Sequence, residues 1–174
     1  MYQWIIGLGN YPAMSQQYAR TRHNTGGDLV LGLLCKLNLP NKGLVEYRHG
    51  QEVTRLGIIT GYINSSGIGI AKVVHRSALD SLLVVHDDVE LPYGEIRFKF
   101  GGSSKGHNGL RNITEVMGTS EYARLRVGVG KRSPLRDYVL EKHTPEEWGI
   151  LQDNINYCYE SLDALIHKNF RNKK

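Results

Sequence analysis

Two short stretches near the start of the chain hold the residue types that acid–base chemistry needs. The apolar run Trp4-Ile5-Ile6-Gly7-Leu8-Gly9 ends in Asn10, and Tyr18-Ala19-Arg20-Thr21-Arg22-His23-Asn24-Thr25-Gly26 places His23 just ahead of an apolar helical pattern. Imidazole titrates nearest neutrality, so His23 is a natural general base. A side-chain amide such as that of Asn10 can bind a carbonyl and stabilise an oxyanion developing on it. Further on, Val85-His86-Asp87-Asp88 closes another apolar run with two carboxylates. A carboxylate there can orient a histidine and stabilise its protonated form, although a plain polar turn is the alternative. Asn64 and Asn108 each stand at an expected helix start. Asparagine caps helices in any case, so it is the set of three that carries weight. An α/β sheet would bring Asn10, Asn64 and Asn108 to one edge.

Other patterns point elsewhere and are weaker. Gly7-Leu8-Gly9 begins a dinucleotide fingerprint, but Pro12 replaces its third glycine and no acidic residue closes a βαβ unit. Lys105-Gly106-His107 lacks the Gly-Lys-Ser/Thr of a P-loop. Gly102-Ser103-Ser104-Lys105-Gly106 matches G-x-S-x-G, the elbow that carries a nucleophilic serine. An elbow needs a later acid and histidine, and neither His143 nor His167 sits at an obvious strand end. A flexible glycine loop is therefore the preferred reading of Ser104.

The elements that must position these residues follow from periodicity. Residues 4–9 read as a buried strand and 10–22 as a long loop. Asn24 or Thr25 would cap a helix through Cys35 that stops before Pro40. A hairpin over residues 44–56, a further strand at 56–60 and a weak helix at 65–79 come next. The continuous apolar run 81–86 reads as a central strand covered on both faces. Residues 95–100 and 123–129 alternate, the first with Ile96, Phe98 and Phe100 on one face and Arg97 and Lys99 on the other. A helix is expected over 107–117, irregular chain over 130–144, and a helix from Pro145 with Trp148, Leu151, Ile155, Cys158, Leu162 and Leu165 on one stripe. The tail 171–174 is expected to fray. Interleaved strands and helices predict an α/β class, a mixed central sheet between helix layers in one domain spanning 1–174.

Composition sets outer bounds. The 174 residues are 40% hydrophobic and 22% charged, ordinary for a globular chain. No apolar run reaches the roughly 18 residues of a membrane span, so no membrane partner is expected. Met1 leads almost directly into the first strand, which is expected to leave no room for a targeting segment. Cys35 and Cys158 both fall in apolar helical patterns and are expected to be buried, reduced thiols. No Cys/His spacing resembles a zinc motif. The net charge of +5 is compatible with a polyanionic partner without requiring one.

Taken together, these segments resemble the bacterial-type peptidyl-tRNA hydrolase family. The resemblance rests on Gly7-Leu8-Gly9-Asn10, Tyr18 through Gly26, Asn64-Ser65-Ser66-Gly67, His86-Asp87-Asp88 through Pro92, Lys105-Gly106-His107-Asn108-Gly109-Leu110 and Leu125 through Gly130. It implies a metal-free, cofactor-free esterase that cleaves the ester joining a peptide to the 3′ end of tRNA. By resemblance His23 is the base and Asp87 its orienting carboxylate. Asn10, Asn64 and Asn108 hold the peptide main chain, the water or the oxyanion. Tyr18 and Tyr62 line the cleft, and Lys99 and Arg126 clamp the tRNA 5′-phosphate. Ester hydrolysis needs a base of near-neutral pKa and oxyanion donors, which these residue types supply. The partner implied is peptidyl-tRNA, bound by a monomer, in the cytoplasm or alternatively in mitochondria. A non-catalytic RNA-binding relative is the rival of a different class, against which the presence of His23, Asp87 and all three asparagines argues. Two departures stand out. Residues 11–17 form a longer loop that lacks the family's Asn-Pro-Gly, which puts the pose of Asn10 in question, and the chain ends early for the family.

Overall fold

Parallel neighbours in a sheet need a crossover between them, usually a helix, and the apolar runs that alternate with helical stretches in this chain build the centre of its sheet that way. The computed structural model describes residues 1–174. Its strands are β1 (Trp4–Gly7), β2 (Leu44–His49), β3 (Glu52–Ile58), β4 (Leu82–Asp88), β5 (Ile96–Phe100) and β6 (Ala123–Gly128). They form one sheet in the order β2-β3-β1-β4-β6-β5. The inner four run parallel; β2 and β5 close the two edges as antiparallel strands.

The helices are α1 (Thr25–Lys36), α2 (Ser66–Ala71), α3 (Asn108–Met117), α4 (Leu135–Leu140), α5 (Pro145–Glu160) and α6 (Leu162–Ile166). On one face Ile5, Leu83 and Val85 pack against Leu29 and Leu33 of α1 and Leu151 and Ile155 of α5. On the other Ile6, Leu82 and Val84 pack against Ile70 of α2 and Ile113 of α3. Successive strand residues point to opposite faces, so β1 and β4 are apolar throughout because both faces are covered. This is the expected mixed sheet between helix layers.

Several local expectations give way to tertiary context. The chain over 51–60 forms one strand, β3, because its residues up to Ile58 pair along β1. The weak helix at 65–79 is only α2, followed by a 3-10 segment, Arg76–Ser81. Residues 130–144 are not wholly irregular, since α4 lies among them. Phe98 and Phe100 do not face the core; they are exposed on an edge strand that is buried only at Ile96. Cys35 is exposed, whereas Cys158 is buried. The tail does not fray: Lys173 exchanges both backbone hydrogen bonds with Ile96, and Asn172 Oδ1 accepts from the Phe98 N–H. It thereby covers part of the open edge of β5.

Candidate active site

The carboxyl ends of β1 and β4 meet the amino-terminal ends of α1 and α3, and glycines allow the approach. A Cβ on Gly26 would stand 2.2 Å from the Val85 carbonyl oxygen, and one on Gly7 would stand 2.5 Å from that of Gly26. Gly7 and Gly26 therefore serve helix–strand contact rather than a dinucleotide, while Gly9 and Gly27 make room for the Tyr11 ring. Gly7 and Gly26 bring the 3-10 turn Arg22–Asn24, which carries His23, against the end of β4, which carries Asp87.

Asp87 is buried and accepts from two imidazoles. His23 Nδ1 lies 3.0 and 3.1 Å from its two carboxylate oxygens, and His107 Nε2 lies 3.0 Å from Oδ1. His107 Nδ1 accepts from the Leu110 N–H at 3.3 Å, capping α3, so the His107 proton sits on Nε2 and is donated to Asp87. Burial pushes the Asp87 carboxyl up, but the two histidines outweigh it and hold the group well below the usual carboxylate range. Burial also lowers His23, yet the charge and hydrogen bond of Asp87 raise its pKa above the ordinary value. With Nδ1–H committed to Asp87, His23 presents Nε2 as its free basic atom. His86 is neutral: its Nδ1–H donates to the Asp87 carbonyl at 2.7 Å, and burial with neighbouring His107 holds it down to about 3.

Asn10 has its pose fixed from three directions. Its N–H donates to Asn24 Oδ1 at 2.7 Å, and its carbonyl accepts from Asn24 Nδ2 at 3.1 Å. Its own Oδ1 accepts from the Ile63 N–H at 2.9 Å, which leaves the amide NH2 as a donor. Asn24 makes no side-chain cap on α1, contrary to expectation; its amide is spent on this clamp. The altered loop is anchored as well. Tyr11 exchanges backbone hydrogen bonds with Gly61, and its hydroxyl donates to Asp28 Oδ1 at 2.8 Å.

These groups line a cleft of about 500 Å³. It collects His23, Asp87, Asn10, Tyr18, Tyr62, Asn64 and Asn108. Tyr18 and Tyr62 meet edge to face at 6.1 Å on one rim. Leu135, Val139 and Leu140 of α4 supply an apolar wall opposite. Buried Arg22 ties that wall to the histidine turn, donating to the Tyr138 carbonyl and to Glu141 and Glu147.

The chain as a whole has relatives among known proteins. A family model for peptidyl-tRNA hydrolase matches residues 4–174. The chain belongs to the peptidyl-tRNA hydrolase family. A peptidyl-tRNA hydrolase of Thermodesulfovibrio yellowstonii is 36% identical over 94% of this chain and 92% of its own. One from Campylobacter jejuni subsp. doylei is 35% identical over 94% of this chain and 91% of its own. The crystal structure of the Acinetobacter baumannii peptidyl-tRNA hydrolase superposes with a TM-score of 0.85 at 27% identity, covering 96% of this chain and 89% of that one.

Not every expected residue joins the cleft. Lys99 and Arg126 lie outside its lining, on one face of the β5–β6 ladder with Arg97 and Arg124. Arg126 Nε donates to Asp88 Oδ2 at 2.7 Å, and Arg124 is buried, donating to the Gly102 and Ser103 carbonyls. Ser104 lines the cleft, but it lies in a loop between β5 and α3 and its hydroxyl bonds no histidine. Sequence reasoning missed His107, Asn24, Arg22 and the α4 wall. His107 and Asn24 stood in quoted motifs beside expected site residues, but their partners are far away in the chain.

Proposed function

We propose that the protein hydrolyses the ester bond joining a peptide, or any N-substituted aminoacyl group, to the 3′ end of tRNA. The observation that carries this reading is the buried His23–Asp87 pair in the same cleft as the free amide of Asn10. In the proposed reaction His23 Nε2 takes a proton from water as the water attacks the ester carbonyl. Asp87 stays ionised and stabilises the imidazolium that forms. The same proton then passes to the departing 3′-oxygen. The Asn10 NH2 donates to the carbonyl oxygen as charge builds on it. Asn64 and Asn108 bind the peptide main chain or the water, and Tyr18 and Tyr62 flank the entering chain.

No metal or cofactor is assigned to this site. The hydrogen bond from the Leu110 N–H already fixes a proton on His107 Nε2, so the groups around Asp87 are matched as donors and acceptor without a cation. Lys99 and Arg126 take the tRNA 5′-phosphate. Arg126 is already paired with Asp88, so Lys99 is the freer charge. The proposal includes one catalytic domain over 1–174, acting as a monomer in the cytoplasm.

Incubation with N-acetyl-aminoacyl-tRNA tests the reading. Release of free tRNA is expected from the unmodified protein. His23→Ala should lower the rate by about 10²- to 10⁴-fold, whereas Ser104→Ala should stay within a few-fold. The reverse pattern, or tRNA binding without release, overturns it.

A further inference from the structure

A second cluster of titratable side chains lies away from the cleft, where the β2–β3 hairpin meets the end of α6. His49 and Glu52 face each other across the hairpin, and His167 is the residue that ends α6. One ligand atom from each lies within 4.8 Å of the others. His167 Nε2 is 2.9 Å from Glu52 Oε2, and His49 Nδ1 is 3.5 Å from the same oxygen.

The surrounding hydrogen bonds fix where the ring protons sit. The Thr54 hydroxyl donates to the Tyr2 carbonyl at 2.9 Å, so toward His49 Nε2, at 3.3 Å, it can only accept. His49 therefore carries its proton on Nε2 and turns a bare Nδ1 lone pair toward Glu52. His167 Nδ1 is 2.9 Å from the Asp163 carbonyl, an obligate acceptor, so the neutral ring keeps its proton there and leaves Nε2 bare; Glu52 raises the pKa of His167, and the charged ring donates Nε2–H to Glu52. With His167 neutral, two nitrogen lone pairs and a carboxylate oxygen converge, and a metal ion competes with the single proton that His167 Nε2 otherwise shares with Glu52. This differs from the catalytic cluster, where the proton on His107 Nε2 is fixed. One proton on His167 Nε2 would satisfy the pair with Glu52 but leave His49 Nδ1 facing the same oxygen unpaired. A metal cation satisfies all three.

We propose that His49, Glu52 and His167 form a binding site for a divalent transition metal, with Zn²⁺ as the probe. Two imidazoles and one carboxylate suit zinc rather than magnesium or calcium, which prefer all-oxygen sets. Each ligating ring gives its other N–H to an oxygen, the arrangement that orients histidine ligands in metal sites. Side-chain exposures of 16% for His49, 47% for Glu52 and 33% for His167 give an ion access from solvent and leave room for a water ligand. A bound ion would staple α6 to the hairpin.

Calorimetric titration of untagged, EDTA-stripped protein with zinc chloride near neutral pH tests this. One equivalent should bind and survive excess Mg²⁺. Glu52→Gln and His167→Ala should each weaken binding by at least about tenfold, while His23→Ala should leave it unchanged. At a hundredfold excess over Kd, zinc should raise the unfolding midpoint of the unmodified protein by about 5–10 °C, and that of Glu52→Gln far less. Circular dichroism without zinc should be the same for all variants, since the substituted side chains are partly exposed. The proposal is overturned if no stoichiometric binding occurs, if it persists in both cluster variants, or if His23→Ala abolishes it.

Discussion

At the scale of single residues, the chemistry rests on which proton sits on which nitrogen. The His23 pKa is raised above its ordinary value, and only its neutral form can act as a base. The rate should therefore fall as pH drops through that raised pKa. Asp87→Asn removes the charge that raises it, so the acidic limb of kcat/KM should move to lower pH. The plateau should fall by about 10²- to 10⁴-fold, because the amide neither enforces the tautomer nor stabilises the imidazolium. A pH–rate profile of the variant checks both parts; an unmoved acidic limb contradicts the pairing. Residue type and the family resemblance singled out His23, Asp87 and Asn10, and the fold brings all three to one cleft. His107 was not singled out, because its role depends on β4 and α3 meeting at Asp87, twenty residues away. Asn24 was misread for a similar reason: a local cap and a distant clamp look alike in one dimension, and the partner decides.

At the scale of elements, the apolar stretches that became β1, β4, α1 and α5 were plain from periodicity and from end signals such as Pro145. Thr144 and Glu147 close a reciprocal capping box at the start of α5. α4 escaped notice because six residues give too little pattern, and its ordering draws on Arg22 more than on propensity. The seating of α1 on β1 and β4 yields a sharp test. Gly26→Ala puts a methyl group into the Val85 carbonyl, backbone against backbone, where no rotamer change relieves it. Destabilisation of about 3 kcal/mol is expected by urea unfolding. The residual folded protein should also lose activity, since the same shift separates His23 from Asp87. Wild-type stability in this variant would mean that the helix seats elsewhere.

Across the whole molecule, the excess positive charge is not spread evenly in its availability. Arg124 is consumed by carbonyls, Arg126 by Asp88 and Arg22 by two glutamates, so much of the basic composition serves structure. Lys99 makes no ion pair. Under the proposed function, Lys99→Ala should weaken binding of 5′-phosphorylated tRNA and flatten the slope of log affinity against log salt by about one. Binding of tRNA lacking the 5′-phosphate should change little. An equal loss for both tRNAs would remove the phosphate clamp from the reading. The alternation of Arg97 and Lys99 on β5 correctly placed a basic face. Their apolar counterparts Phe98 and Phe100 are exposed, because alternation marks which residues share a side and not whether anything covers it.

The His23–Asp87 pair joins residues 64 positions apart in the chain. It exists only once β1 and β4 lie side by side, with the crossover between them already wound. Contacts of such span form late, because the loop they close must be gathered first. Under the proposed function, catalytic competence is then a clock set by the slowest parallel pairing. A newly made chain can be rich in helix and still be inert, and the return of turnover marks the completion of the sheet's centre rather than the onset of order.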